Sequence, residues 1–292
     1  MHSEYFAGVL NYDAGGIGFK SGRHTGMSFS FIHFGADNIP DTYGLIDDNG
    51  QVHYDQVTSF SIADWAFSTS LAGEVISRRY RKGGLKYGVS AKLINRKVGP
   101  FAKATGVGMD AGLIFENKKF VTSIMTKDIT TTYTGWSFTI DDEHKKILNA
   151  TGNDIHVKSY EINYPRITAC IGTELKMNDL MKLRPQAAID ITTDGRRNTA
   201  ISTNVASIAP HAGMELMYNK KIFFRAGVGK FQSYISNTDL SKKSIGFDPS
   251  IGVGIQMKKM NLDYALIDFG SNSNAGLNSN VIAVKFLLDK KK

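Results

Sequence analysis

Charged side chains recur inside segments that are otherwise apolar, at positions where neighbouring residues alternate in character. The members on the polar side of these segments are Asp64, Lys86, Lys92, Asp110, Glu174, Asp190, Arg225 and Asp263. Acidic and basic groups in such a mixture have two chemical uses. They can pair in a salt-bridged network that fills an interior, or they can line a polar channel or a ligand site. The sequence leaves both uses open.

No group of residues has the composition of a catalytic centre. Covalent catalysis needs a nucleophile, a base and an orienting group, and the chain has no Gly-x-Ser-x-Gly motif. Glu143 and His144 are neighbours in a predicted loop and form no evident acid–base pair. Cys170 is the single cysteine, which excludes a disulfide framework and a cysteine-rich metal site. We therefore expect a protein that is not an enzyme.

Two motifs with a superficial likeness to ligand sites lack essential parts. Gly227-Val-Gly-Lys230 has neither the full spacing of a phosphate-binding loop nor a helix after it. Asp47-Asp-Asn-Gly50 and Asp194-Gly195 begin like calcium loops but lack the later ligand positions. We interpret them as ordinary turns, and we expect no metal and no cofactor.

The segments that carry the charges alternate with a period of two residues, which is the pattern of β-strands. In one of the clearest, Leu85, Val89 and Leu93 point to one side, while Lys86 and Lys92 point to the other. Strands of about ten residues tilted by about 45° span a bilayer, whereas a transmembrane helix needs about 18 apolar residues in a row. No such run exists here. The pattern predicts an antiparallel transmembrane β-barrel in an outer membrane, with the apolar face toward lipid.

Burial energetics then place the charges. A Lys or Arg on the lipid face at mid-bilayer costs about 2–4 kcal/mol, so we expect the charged face to line the lumen. The alternation of Ile282, Val284 and Phe286 against Val281 and Ala283 marks the last strand, which should close the barrel against the first.

The number of strands predicts the topology. About thirteen can be recognised, from Phe6–Lys20 to Ser279–Leu288, within one domain that covers residues 1–292. Bacterial outer-membrane barrels have an even number of strands, short periplasmic turns and longer extracellular loops. We therefore expect a fourteen-stranded barrel with long extracellular loops at 36–59 and 130–156. An upward strand should then precede Met1, and the seam at the final hairpin should be incomplete. No signal-peptide pattern is present at the N-terminus.

The formal net charge of +8 does not indicate a nucleic-acid partner, because lysines cluster in short turns. Protein binding is more plausible on exposed loops. Trp136, Phe138 and Ile140 lie in the predicted 130–156 loop, where they could fold into the barrel mouth or contact a partner. We take them as a candidate partner-binding loop.

Several stretches occur together in an order that resembles one family. They are Gly26-Met-Ser-Phe-Ser-Phe-Ile-His-Phe-Gly35 with Asp37-Asn-Ile-Pro-Asp-Thr42, Gly108-Met-Asp-Ala-Gly-Leu-Ile114, Tyr164-Pro-Arg166 before a strand containing Gly172, Arg225-Ala-Gly-Val-Gly229 and Leu262-Asp-Tyr-Ala-Leu-Ile-Asp-Phe-Gly270. This pattern resembles the PorV/PorQ group of outer-membrane barrels, relatives of the FadL channels for hydrophobic compounds. The resemblance covers nearly all of the chain, but the signal peptide, the plug segment and the first strand of the family are missing from it.

The resemblance implies a location in the outer membrane of a Gram-negative bacterium and a role in type IX secretion. The expected partners are outer-membrane lipid and either the type IX translocon or secreted proteins with type IX C-terminal signal domains. A FadL-like channel for hydrophobic small molecules is the alternative. It predicts an apolar pocket and a lateral opening, for instance at a kinked strand. A soluble β-sandwich binding module is a third possibility.

Overall fold

The computed structural model describes residues 1–5, 8–47, 50–76, 83–140, 145–146, 158–235, 243–267 and 279–288. The strand elements are β1 (His2–Tyr5), β2 (Leu10–Lys20), β3 (Thr25–Asp41), β4 (Thr58–Ile76), β5 (Gly83–Val98), β6 (Ala102–Asn117), β7 (Phe120–Lys127), β8 (Thr132–Phe138), β9 (Lys158–Asn163), β10 (Arg166–Thr173), β11 (Leu175–Lys176), β12 (Met181–Thr192), β13 (Ile201–Ser202), β14 (Ser207–Tyr218), β15 (Ile222–Ile235), β16 (Lys243–Gln256), β17 (Met260–Ile267) and β18 (Ser279–Phe286). Among the described residues, no helix is long and apolar enough to cross a membrane.

These elements make a closed antiparallel barrel of 14 strands, which confirms the predicted fold class. β7 and β8 both pair with β6 and form one interrupted strand. The next strand of the barrel consists of β9, β10 and β11 in succession. β9 pairs with β8, β10 pairs with β7, and β11 pairs with β12. Within the part of the chain that the structure describes, β13 pairs with β14 alone, in a small hairpin that leads into β14.

The two faces of the wall differ in the way that the alternation predicts. On β6, Ala102, Ala104, Gly106 and Gly108 are buried on the inner face, while the residues between them are exposed on the outer face. The outer face carries large apolar side chains on every part of the wall. Examples are Phe29, Phe67, Leu93, Val107, Ile171, Met214, Phe224 and Ile282, each at least 47% exposed.

The seam is closed by a short strand, β1, that the alternation pattern does not predict. β1 pairs with β18 through three residue pairs and with β2 through four. The prediction that the fourteenth strand lies wholly before Met1 is therefore wrong. Four residues are too few to show a period, so the sequence pattern missed β1. Within the described residues, part of the seam is unpaired: from Gly15 to Lys20, β2 pairs with β3 on one edge only, and from Ala283 to Phe286, β18 pairs with β17 on one edge only.

Both predicted long loops are shorter than expected. β3 extends to Asp41 and β4 begins at Thr58, which reduces the loop predicted at 36–59 to residues 42–57. The loop predicted at 130–156 contains β8, so Trp136 and Phe138 belong to the barrel wall. A break of four residues between β7 and β8 interrupts the alternation, and for this reason the sequence pattern predicts a loop where the structure has a strand. Residues 141–144 and 147–157 lie outside the described residues.

Candidate functional site

The lumen carries a ladder of six alternating charges, which crosses one side of the barrel. Its members, in spatial order, are Lys182, Glu174, Arg184, Glu215, Arg225 and Asp263. Each internal member contacts the one before and the one after it, with nitrogen–oxygen distances of 2.5 to 3.0 Å. Because three cations meet three anions, the ladder has no net formal charge.

Strand register explains how Arg225 contacts both Glu215 and Asp263. Glu215 and Arg225 are direct cross-strand partners on β14 and β15, so their contact of 2.8 Å needs no distortion. Arg225 must reach across β16 to contact Asp263 on β17, and the Arg225 Nη1 to Asp263 Oδ1 distance is 2.6 Å. The Arg225 side chain passes over Gly254, where a Cβ would overlap the Asp263 carboxylate and lie 3.0 Å from Arg225 Nη1. Because glycine has no Cβ, it leaves room for the contact between Arg225 and Asp263.

A second cluster lies at the interrupted strand. Lys92 Nζ is 2.8 Å from Asp110 Oδ1 and 2.5 Å from Asp128 Oδ1, and its side chain is only 13% exposed. The Asp128 amide donates to the Asp110 carboxylate at 2.8 Å. The Thr132 hydroxyl donates to Asp128, and Thr132 is fully buried. One lysine thus holds the two carboxylates that fix the break.

The backbone at the break is strained. Asp128 and Thr131 have φ values of 55° and 60°, a left-handed conformation that is costly for a β-branched residue such as Thr131. The break also requires a bare backbone on β6, since a Cβ on Gly108 would overlap the Thr132 hydroxyl. On the outer face, Thr130 and Thr131 border a groove of about 860 Å³ lined by apolar side chains, among them Phe29, Phe67 and Leu93.

A third cluster surrounds Trp136. Arg96 donates to Asp64 at 2.9 Å and to Glu161 at 2.7 Å. The Arg96 guanidinium lies 5.0 Å from the centre of the Trp136 ring, and the indole N–H donates to Glu161 at 3.0 Å. Phe138 stacks on Trp136 with ring centres 6.2 Å apart, and Ile140 follows β8 as a partly buried residue. Trp136 is thus turned into the barrel, which is one of the two orientations that the sequence left open.

The structure gives each of the eight predicted lumen residues a partner of opposite charge. Besides the clusters above, Lys86 lies 2.9 Å from Glu116, and Asp190 pairs with Arg166 and accepts from the Thr168 hydroxyl at 2.5 Å. Sequence reasoning missed their partners Arg96, Glu116, Asp128, Arg166, Lys182, Arg184 and Glu215, and it missed Glu161, which pairs with Arg96. Most of these occupy the same alternating face, and this signal could have identified them.

The outer face carries a polar cluster near the seam that sequence reasoning did not identify. The rings of His2 and His33 lie 2.7 and 3.4 Å from the two carboxylate oxygens of Asp13. His33 also packs against Trp65, with ring centres 4.3 Å apart. The cluster links β1, β2 and β3, so it holds the short strand β1 in the seam.

The cavity beside the charge ladder is the next feature of the lumen. A cavity of about 700 Å³ adjoins the ladder, and its lining includes Cys170, Gln186 and His211. Within the described residues, no three His, Cys, Asp or Glu side chains are grouped to hold a metal ion. The charges near the cavity are already paired with each other, and such an arrangement stabilises one conformation of the wall more readily than it attracts a charged ligand.

No protein-family model matches the sequence, and no curated protein matches it. Among solved structures, a FadL homologue from Pseudomonas aeruginosa is similar with a TM-score of 0.45 and 11% identity, over 94% of this chain and 76% of that one. The siderophore receptor PirA from Acinetobacter baumannii gives 0.38 and 10%, and the FrpB iron transporter from Neisseria meningitidis gives 0.39 and 12%. These two matches cover 94% and 88% of this chain, but only 47% and 44% of the other chains.

Proposed function

We propose that this chain is a non-enzymatic outer-membrane β-barrel whose outer face contacts lipid. The observation that carries the proposal is the contrast between the two faces of one closed wall. Large apolar side chains are exposed outside, and paired charges line the inside. Soluble monomers rarely expose apolar surface of this extent, whereas an apolar outer band with a polar interior is the arrangement of bacterial outer-membrane barrels.

Membrane integration is the first test. The full chain should fold only with detergent or lipid and should stay in the membrane fraction during alkaline extraction. It should also migrate differently on a gel before and after boiling, as compact barrels do. A refolded monomer that is soluble without detergent would contradict the proposal.

Within this class, we propose a PorV-type role, in which the barrel binds secreted proteins or translocon components of type IX secretion. The resemblance of the ordered motifs supports this role. The lumen supports it indirectly, because ion pairs such as Arg225–Asp263 and Lys92–Asp110 occupy the inner wall with one another. Such a wall is better suited to a rigid scaffold that displays binding surfaces at its rim than to an apolar conduit.

An affinity purification from native membranes tests the role. The tagged full chain should retrieve translocon components or proteins with type IX C-terminal signal domains. A mock-tagged barrel of similar size from the same membranes is the control. A preparation that preserves other membrane complexes but contains neither class of protein would contradict the PorV-type role.

A FadL-like channel for hydrophobic molecules is the second candidate, and one observation favours it. The strained break at Asp128–Thr131 adjoins an apolar groove on the outer face, as expected if small apolar molecules leave the lumen sideways. Vesicles containing the barrel should then take up a fluorescent fatty acid faster than empty vesicles. Equal uptake rates would exclude this activity.

A further inference from the structure

The hairpin formed by β3 and β4 ends in a folded head, which we define as residues 36–59, described except for residues 48–49. Pairing between β2 and β3 stops at Gly35, but pairing between β3 and β4 continues to Asp41 and Thr58. The head therefore rises above the neighbouring strand. A register shift between Ala36 and Ile39 marks its base, where Asn38 has a φ of 57°.

An aromatic cluster fixes the head to the adjacent rim. The Phe60 and Phe101 rings meet edge to face with centres 5.2 Å apart, and Tyr43 lies 6.4 Å from Phe101. The Gly99 amide donates to the Ser61 carbonyl at 2.9 Å, which aligns the turn carrying Phe101 with the base of the head. The head thus stands on a rigid support.

A compact turn organises the tip around Asp47. Its backbone amide donates to the Gln51 carbonyl at 3.0 Å, and its carboxylate accepts from the Gln51 amide at 2.9 Å. The His53 ring lies 3.2 Å from the same carboxylate. These contacts hold Ile46 and Val52 as cross-strand partners.

The described residues of the tip present apolar side chains to solvent. Ile46 is 61% exposed, Val52 is 52% exposed and Tyr54 is 80% exposed. Ile46 and Val52 are neighbours across the turn, and Tyr54 follows Val52 by two residues. Scattered exposed apolar residues need no explanation, but a cluster on a braced and hydrogen-bonded turn is typical of an interaction surface.

The charge of the head is opposite to that of the chain. Its aspartates are Asp37, Asp41, Asp47, Asp48 and Asp55, and it contains no lysine or arginine, in a chain with a formal net charge of +8. Asp37 is exposed at the base of the head, and Asp55 is exposed directly after Tyr54. Such a surface repels polyanions, including nucleic acids and acidic glycolipids, and attracts cationic groups.

We propose that the head is a docking surface for a basic, apolar polypeptide segment of a partner protein. Aliphatic or aromatic side chains of that segment would cover Ile46, Val52 and Tyr54, and its lysines or arginines would pair with Asp37 and Asp55. The proposal rests on the proposed outer-membrane function for its orientation, since the head lies at the end opposite to the short turns and thus faces the cell exterior.

Peptide binding to the full chain in phosphatidylcholine nanodiscs tests the surface. The probe is a fluorescent peptide of lysine and leucine, a glutamate and leucine peptide of equal length is its counterpart, and empty discs give the background. At low salt, the basic peptide should bind and the acidic one should not. The variant Asp37→Asn/Asp55→Asn should weaken binding about three- to tenfold. Ile46→Ser/Val52→Ser/Tyr54→Ser should weaken it about tenfold or more.

Two matched variants serve as controls. Asp179→Asn removes one carboxylate at the opposite end of the barrel, against two in the head variant, and Asp179 is 94% exposed. Val205→Ser removes a valine side chain, as Val52→Ser does, from another loop at the same end of the barrel as the head, where Val205 is 77% exposed. Both controls should leave binding unchanged. Head variants that bind as the controls do, or an acidic peptide that binds as well as the basic one, would overturn the proposal.

The purification from native membranes separates failure of this surface from failure of the proposed function. If head variants retrieve type IX partners as well as the unaltered chain does, the type IX role stands and the head is not the docking surface. If the peptide binds through the head but no type IX protein is retrieved, the docking surface stands and the type IX role fails.

Discussion

Replacing Arg225 by methionine tests whether the ladder stabilises the barrel. Arg225 is 39% exposed and pairs with Glu215, 21% exposed, and with Asp263, 38% exposed. Exposed pairs contribute about 0.2–1 kcal/mol, and breaking a buried pair costs about 3–5 kcal/mol. These half-buried contacts lie between the two limits. Glu215 retains Arg184 at 3.0 Å, so Asp263 is the carboxylate that loses its ladder partner. We expect Arg225→Met to lower the free energy of unfolding by about 2 kcal/mol.

A double-mutant cycle isolates the contribution of the Arg225–Asp263 ion pair. Urea-induced unfolding in lipid vesicles, followed by the fluorescence of Trp65 and Trp136, gives the free energy of unfolding for Arg225→Met, Asp263→Asn and the double variant. The sum of the losses in unfolding free energy for the two single variants should exceed the loss for the double variant by about 1 kcal/mol. A coupling energy within about 0.3 kcal/mol of zero would refute the interpretation of the ladder as a stabilising network.

Gly254→Ala gives an independent check without a change of charge. The added methyl group would push the Asp263 carboxylate away from Arg225, so the variant should lose about 1 kcal/mol, similar to the coupling energy. In the Arg225→Met/Asp263→Asn background, the same change should cost less than about 0.5 kcal/mol. An equal cost in both backgrounds would mean that the methyl group clashes elsewhere.

Three further predictions concern the strand break and one loop. In Gly108→Ala, the added methyl group would overlap the buried Thr132 hydroxyl, so the variant should destabilise the barrel by about 2 kcal/mol or more. Gly88→Ala is the control: its nearest neighbour would lie 3.9 Å away, and the change should be nearly neutral in the same unfolding assay. Lys92→Met removes the cation between two carboxylates and should cost about 3 kcal/mol; hydrogen exchange should rise first at residues 127–132, and unchanged exchange there would contradict the role of Lys92. Arg197 donates to Asp194 at 2.9 Å and holds the pKa of this carboxyl below its ordinary value. The contact therefore stabilises the 193–200 loop above the unfolded pKa and is lost as the pH falls through the folded one, below about pH 4. Amide exchange in the loop, corrected for its intrinsic pH dependence, should rise in that range for the unaltered chain and not for Asp194→Asn.

The sequence by itself determined the fold class and the face on which charges within regular strands, such as Lys86 and Lys92, lie. A period of two is a local property: it is visible within one segment such as 85–93, and it places Lys86 and Lys92 opposite Leu85 and Leu93 whatever the strand pairs with. The same argument indicated an interior position for Arg225 and Asp263.

Only the tertiary structure decided which charges meet and how the barrel closes. Arg96 and Glu161 are 65 residues apart in sequence, and their contact depends on the register of the intervening strands, which no local pattern records. Short irregular elements also left no periodic signal. The four residues of β1 close the seam, and the break before Thr132 moved Trp136 from a predicted loop into the wall. In each case the decisive energy comes from pairing with distant strands, so it is absent from any single segment of the chain.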